Sequence, residues 1–473
     1  MGTTSDLARF GAAVALPGLP LEVIFRTRLL VLDLVGNIVR ARHDAESTQS
    51  LLGAARALGL GAGHAAVFGD PSRWTPAGAA FLNGALARSL DFDDTHAATG
   101  LHPGAAVIPA ALAAGEMTGA SGAEVLAGIV AGYEIACRMA LALPARSCDA
   151  VGLDAPGPGE CGFQPAAICG AFGAAAAAGR VLGLDAGGME SALGIALGQS
   201  AGSSLFLGNG AWTRRFQIGW AGMAGLAAAT LAVEGFRNAG PAFEGLHGFL
   251  RAVTPDPTPE RAVQGLGTVF ELMRTAATPY PTCRSAHAGI DAALALRAAH
   301  ALRTEAIESV TYGLTQACMS RLSEPVDQTA GPQSVTDGQA SVRFAIACAL
   351  ATGAMDWDSY RLLRDPAILA LLPKLRCEHD AELEALGPMA GRLTVVTRGR
   401  TVSHTVAMPT GEPETFPTAG DVRGKFDALV TPVLGPERAG RLANAVLTLD
   451  ALSDIARLTR LGSPVLSARL AGE

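Results

Sequence analysis

From Pro165 to Leu182 the chain is built almost wholly from alanine and glycine, P-A-A-I-C-G-A-F-G-A-A-A-A-A-G-R-V-L. Alanine is the best helix former, and side chains this small cannot cover the face of a sheet, so the tract predicts a helix that its neighbours approach closely. Gly122 to Leu143, Met189 to Ser200 and Gly219 to Glu234 read the same way. The whole chain shares this character: 49% of it is hydrophobic but only 5% aromatic, and 57 of 473 residues are glycine. A core of Ala, Gly, Leu and Val is therefore expected, and a disordered chain is excluded. Length alone asks for two or more domains. The net charge of −7, with no basic patch, argues against nucleic-acid or anionic-membrane partners. Charged residues such as Arg180, Asp185 and Glu190 interrupt the apolar tracts, so no membrane span is expected.

Helical periodicity also runs through Glu22 to Arg40 and through Pro76 to Asp94, where Thr75 is a candidate N-cap. After Pro279 the texture changes. A helix is expected over Ala286 to Ala301, a strand over Ile307 to Leu314 and a helix over Ser341 to Ala351. A hairpin follows, Arg392 to Thr397 and Thr401 to Ala407, turning at Arg398–Gly399–Arg400. Pro409 to Pro417 reads as a linker, and Ala419 to Leu461 returns to helices. The expected fold is mainly α: a large discontinuous all-helical domain, residues 1–271 plus 417–473, interrupted by a smaller α+β lid, residues 272–416. Eight cysteines form no C-x-x-C pair and no zinc spacing with histidine, so they read as buried thiols of a cytoplasmic protein. Two of them, Cys148 and Cys161, lie between Pro144 and Gly162.

Three polar clusters stand out against this charge-poor background. The first is Asp91-Phe92-Asp93-Asp94-Thr95-His96, followed by His102-Pro103-Gly104. If the preceding helix persists, Asp91 and Thr95 share a face. His102 before Pro103 would sit at a helix N-terminus, which lowers an imidazole's pKa and keeps it neutral for proton transfer. A solvated acidic loop would use the same residues. The second cluster, Thr213-Arg214-Arg215-Phe216-Gln217, could grip a carboxylate bidentately or stand exposed at a helix end. The third is Thr282-Cys283-Arg284-Ser285-Ala286-His287 with Asp291. Thr282 could cap a helix on which Asp291, four residues beyond His287, orients its imidazole. Cys283 as a nucleophile is disfavoured, since a lone cysteine is more often inert. For a metal, Asp91, Asp94 and His102 are the one set the spacing offers.

Taken together these segments resemble the MmgE/PrpD family, which includes 2-methylcitrate dehydratases, cis-aconitate decarboxylases and an iminodisuccinate epimerase. The resemblance lies in Leu90 to Glu116, Cys169 to Asp185, Thr213 to Ala221, Pro279 to Ala292 and the helix starting near Ser341, in order along nearly the whole chain. It implies a helical domain split by an α+β lid, a homodimer, a site between the domains and no metal or organic cofactor. It implies a catalytic site holding Asp91, Thr95 and His102 together with the positions of Gln164, Arg214, Gln217 and Phe344, which would contact the substrate; from the third cluster His287 is added as a candidate catalytic residue and Arg284 as a candidate substrate contact. Here the chain departs from the family pattern. Gln164 stands where that pattern has histidine, Arg214 where it has lysine, Gln217 where it has histidine and Phe344 where it has tyrosine. Two lost imidazoles and a lost phenol remove proton-transfer capacity, and arginine cannot act as a base near neutral pH.

The expected function is thus a cofactor-independent lyase or isomerase acting on a small anionic substrate, in specialised metabolism rather than the methylcitrate cycle. Elimination, isomerisation and ring closure remain open. The alternative is a non-catalytic binding or scaffold protein on the same fold, which the four substitutions motivate.

Overall fold

The computed structural model describes residues 2–143, 162–208, 212–238, 240–320, 322 and 331–464. Cys148, Cys161 and Pro144 lie outside the described residues. The fold is mainly α with a smaller α+β part. At its centre the Pro165–Val181 helix packs against Gly104–Thr118, Gly122–Leu141, Ala186–Leu197 and Thr213–Val233. Small residues make this possible. A Cβ on Gly132 would lie 2.6 Å from the Gly173 carbonyl oxygen, and one on Gly173 would lie 2.8 Å from the Gly132 carbonyl oxygen. A larger side chain at either position would force two backbones apart.

A second such crossing positions the candidate site. Gly219 lies against the Phe81 carbonyl and Ala85, Gly84 against the Gly219 backbone, and Gly222 against the Ala80 carbonyl. The Pro76–Ala87 and Thr213–Val233 helices therefore run antiparallel, and the C-terminal end of one meets the N-terminal end of the other. Thr213–Val233 is the one described helix long and apolar enough by composition to cross a membrane, a run that the charge interruptions elsewhere hide. It packs against Pro76–Ala87, Gly104–Thr118, Pro165–Val181 and Ala186–Leu197.

Thr75 caps the Pro76–Ala87 helix, its hydroxyl accepting from the Gly78 N–H. The helix ends seven residues earlier than its apolar run suggests: Arg88–Leu90 is a 3₁₀ turn, and Asp91 then adopts a left-handed conformation, φ 52°. Thr95–His96 is instead a short strand paired with Thr275–Ala276. A second short pairing, Gly61–Ala66 with Arg73–Trp74, also lies within the helical part.

In the α+β part a four-stranded sheet has the order Leu375–His379, Ile307–Leu314, Gly391–Thr397, Arg400–Val406. The first pair is parallel and the others antiparallel. The His287–His300 helix covers the sheet and packs on Val342–Thr352. After the 409–417 segment the chain returns to the helical body. There Ala419–Leu434 lies along Leu21–Asp44, with Phe426 seated against Gly36.

Candidate active site

The turn at Asp91 folds its carboxylate back onto the helix end it has just left. Arg88 Nη1 lies 2.6 Å from Asp91 Oδ1 and 2.6 Å from Asp93 Oδ1, while Arg88 Nη2 lies 3.2 Å from His102 Nε2. The antiparallel crossing brings Arg214 to the other side, with Nη2 3.2 Å from Asp91 Oδ2. Aspartate tolerates the left-handed region better than most residues, and a conformation of this kind persists only where surrounding contacts hold it. Here two guanidiniums do so. Burial pushes the Asp91 carboxyl up, but Arg214, Arg88 and His102 outweigh it and hold the carboxyl well below the usual carboxylate range. The same carboxylates raise Arg88 further against its burial.

His102 is held at both ring nitrogens. Nδ1 lies 2.8 Å from the Asp94 carbonyl oxygen and 3.3 Å from Thr95 Oγ1, and Asp93 Oδ2 is 3.6 Å away. A carbonyl only accepts, so Nδ1 carries the proton and Nε2 presents a lone pair to Arg88. Burial, then the Arg88 charge, lower the His102 pKa to about 4. The imidazole is neutral, as its place in the sequence suggests, but through desolvation and a neighbouring guanidinium rather than a helix dipole. Asp91, Thr95 and His102 are thus brought together, though not on one helical face.

Asp94 turns away from this group. Its Oδ2 accepts from the Tyr133 hydroxyl at 2.7 Å and its Oδ1 from the Gly104 N–H at 3.2 Å. A Cβ at residue 104 would meet both Tyr133 and Asp94 below 3 Å, so only glycine fits there. Burial, opposed by Tyr133 and reinforced by Asp93 and Asp33, pushes Asp94 up to about 8. With Asp91 claimed by arginines and Asp94 by Tyr133, the set Asp91, Asp94 and His102 does not form a metal site. Among the described residues no three of His, Cys, Asp and Glu are grouped for one.

Arg215 is 5% exposed; it donates to Ser47 Oγ at 2.9 Å and Thr336 Oγ1 at 3.3 Å, and its Cζ lies 5.9 Å from the centroid of the Trp212 ring. Gln217 donates from Nε2 to the Ser203 carbonyl at 3.0 Å, and Gln164 donates its backbone N–H to the Gly202 carbonyl. The Oε1 atoms of both glutamines are buried without a partner among the described residues. The Gly202–Phe206 segment joins these groups, since Phe206 lies under the Arg214 guanidinium with its ring centroid 5.8 Å from Cζ.

The third cluster differs from its expectation. Thr282 does not cap the helix; its hydroxyl donates to the Gln339 carbonyl. Asp291 does not orient His287. The Tyr280 hydroxyl donates to Asp291 Oδ1 at 2.5 Å and the Thr410 N–H to Oδ2 at 2.7 Å, so both carboxylate oxygens are taken, while the His287 ring is buried. His287 is left with a 3.4 Å contact to the Thr282 carbonyl and an edge-on packing against Tyr280. Burial and then Arg284 lower its pKa to about 3. Arg284 forms a two-point ion pair with Glu412, including Nε to Oε1 at 2.8 Å. Phe344 is fully buried and stacked on Tyr360. Burial, then Asp91, push the Cys283 thiol up to about 12, which disfavours a nucleophilic role.

Several groups here escape the sequence reading. Arg88 and Asp93 link Asp91 to His102, and Tyr133 anchors Asp94. Lys425 donates to the Phe92 carbonyl at 2.7 Å and the Thr278 carbonyl at 2.8 Å and pairs with Asp33 at 2.7 Å. Arg88 is a lone charge at the end of the apolar run from Pro76, and Lys425 is one of only two lysines in the chain; each was a usable signal. A concavity of about 930 Å³ opens elsewhere, between the Pro436–Leu447 and Ala456–Leu461 helices, lined by Arg438, Arg441, Arg457 and Arg460. None of the candidate residues lines it.

Residues 5–262 match the model of the MmgE/PrpD N-terminal domain, and residues 280–451 that of the MmgE/PrpD C-terminal domain. The chain belongs to the MmgE/PrpD family. It is 28% identical to the cis-aconitate decarboxylase-like protein oryM of Aspergillus oryzae over 97% of this chain and 96% of that protein. It is 27% identical to a cis-aconitate decarboxylase of Aspergillus terreus over 97% of this chain and 96% of that protein. A cis-aconitate decarboxylase of Homo sapiens is 27% identical over 84% of this chain and 81% of its own length.

Proposed function

We propose that this MmgE/PrpD protein is a cofactor-independent lyase that acts on a small anionic substrate by proton transfer beside a carboxylate. The observation that carries the reading is His102, neutral, with its Nε2 lone pair directed at Arg88 and flanked by Asp91 and Arg214. The names of the relatives favour lyase chemistry. The glutamines at 164 and 217 and the phenyl ring at 344 favour a substrate other than cis-aconitate.

In this reading Arg214 and Arg215 hold the substrate carboxylate, and Thr95 positions its neighbour. As the bound carboxylate draws the Arg88 guanidinium off His102 Nε2, that lone pair is freed and takes a proton from the adjacent carbon. The C–H electron pair becomes a C=C bond as the β substituent leaves with its bonding pair. Return of the proton without that loss would give isomerisation. A bound anion draws the His102 pKa back up toward neutrality, where a general base works best. We place His287 and Arg284 on the lid, residues 272–416, facing the helical domain formed by 1–271 and 417–473, in a cytoplasmic homodimer.

The test is a panel of small carboxylates incubated with the enzyme in D₂O and followed by NMR. Incorporation of deuterium beside the carboxylate, or loss of water or CO₂, abolished in His102→Ala, supports the reading. Binding without exchange or turnover on any member would favour the non-catalytic alternative.

A further inference from the structure

The cations of the candidate site are already largely matched by the protein's own carboxylates. Arg88 is paired with Asp91 and Asp93, and Arg214 with Asp91. Arg284 is paired with Glu412, which is 6% exposed, and Lys425 with Asp33. His102 is neutral by its hydrogen bonds. Arg215 alone of these buried cations makes no ion pair among the described residues: it meets the Ser47 and Thr336 hydroxyls and the Trp212 ring, and the exposed Glu46 acts on it only as a through-space charge. Arg88 and Arg214 share the Asp91 and Asp93 carboxylates, whereas among the described residues the Arg215 guanidinium touches no carboxylate.

The other unmet demand is for hydrogen-bond donors. Gln164 and Gln217 are 8% and 7% exposed, and among the described residues the Oε1 of each has no partner. The Nε2 of Gln217 is fixed on the Ser203 carbonyl, so its carbonyl end faces inward. A Cβ on Gly202 would lie 3.5 Å from Gln217 Oε1 and 3.7 Å from Gln164 Cβ, so the Gln217 amide oxygen and the base of the Gln164 side chain border one spot. Phe206, at the end of the same short segment, touches Arg214. A buried acceptor without a donor is costly, and a ligand that supplies the donor removes that cost.

We infer that the substrate is a hydroxylated monocarboxylate: a single carboxylate satisfies the spare charge at Arg214 and Arg215, and neutral O–H groups donate to Gln164 and Gln217. This rests on the site proposed above. A second carboxylate would enter a desolvated site with no free cation, because Glu412 already neutralises Arg284. An ammonium group would bring a positive charge that the site cannot match.

The test is calorimetric titration of the full chain with four C4 acids: butyrate, 3-hydroxybutyrate, succinate and malate. They differ only in one hydroxyl and one carboxylate. The expectation is that 3-hydroxybutyrate binds about tenfold tighter than butyrate and at least about tenfold tighter than malate. The Gln164→Leu/Gln217→Leu protein should lose the hydroxyl preference while keeping its thermal stability. Glu412→Gln should uncover Arg284 and strengthen malate binding about tenfold, leaving 3-hydroxybutyrate unchanged. Tightest binding by succinate or malate to the wild type, or no effect of the hydroxyl, would overturn the inference. So would the absence of binding by all four. Arg214→Met separates the two levels. If it abolishes binding of a dicarboxylate, the site stands and only the substrate class is wrong. If binding persists in Arg214→Met and His102→Ala, the site itself is misplaced.

Discussion

The clusters around His102 and His287 are built from the same residue types, an arginine, a histidine and an aspartate close in sequence, yet they end in different states. At His102 the aspartates turn toward the arginines, and both ring nitrogens are held by polar groups that fix the tautomer. At His287 the aspartate is taken by Tyr280 and Thr410, the arginine by Glu412, and the ring keeps one long contact. The difference lies in competition. Among the described residues Asp91 and Asp93 pair only with the arginines and His102, whereas around Asp291 a phenol and a backbone N–H arrive from elsewhere in the chain. A carboxylate four residues from a histidine, as Asp291 is from His287, therefore need not pair with it when stronger donors claim it.

The comparison is sharpened first by turnover. His102→Ala should lower turnover by about 10²–10⁴-fold, the range for a general acid–base group, whereas His287→Ala should cost about tenfold or less. Steady-state rates on an identified substrate, with circular dichroism as folding control, decide it. Equal losses would erase the distinction between the clusters.

Next in size is the charge network. Arg88→Met leaves Asp93 buried without its cation and should destabilise the fold by about 3–5 kcal/mol in denaturant titration. A change below about 1 kcal/mol would mean that Asp91 and Asp93 are held by something else.

Acid stability follows. Both imidazoles have lowered pKa values, about 4 for His102 and about 3 for His287, against 6.5 unperturbed. The unfolded chain therefore binds more protons between these values, and stability falls as pH drops from 6.5 toward 4. His287→Gln should flatten that fall by roughly 2 kcal/mol, more than His102→Gln, whose ring is partly exposed. Melting at pH 7 and pH 4.5 reads it; an unchanged slope in His287→Gln contradicts the burial argument.

The smallest effect is at Asp291. Asp291→Ala removes two hydrogen bonds and should cost about 1–2 kcal/mol of stability while leaving turnover within a few-fold. A large loss of turnover with normal melting would return Asp291 to the mechanism.

Local patterns made much of the fold legible. Thr75 before Pro76 marks a helix start, alternation marks Ile307–Leu314, and Arg398–Gly399 marks the hairpin, because each depends on neighbours a few residues away. The end of the Pro76–Ala87 helix did not show, since the turn at Asp91 is held partly by Arg214, far along the chain. For the same reason Glu412 could not be read as the partner of Arg284, nor Lys425 as the tie between Asp33, Phe92 and Thr278. The short Thr95–His96 strand depends on pairing with Thr275–Ala276 and carries too few residues for a period to appear. The candidate residues themselves were legible because polar side chains are conspicuous in so apolar a chain, but their partners were not.

The most direct measurement is a crystal structure of the protein with whichever of the C4 acids binds it tightest. The account predicts the ligand carboxylate within about 3.2 Å of a guanidinium nitrogen of Arg214 or Arg215. It also predicts the neighbouring carbon facing His102 Nε2, with Glu412 still on Arg284. A ligand bound against His287, or in the arginine-lined concavity beside Arg438, with the Asp91–Arg88–His102 group bare, would contradict it.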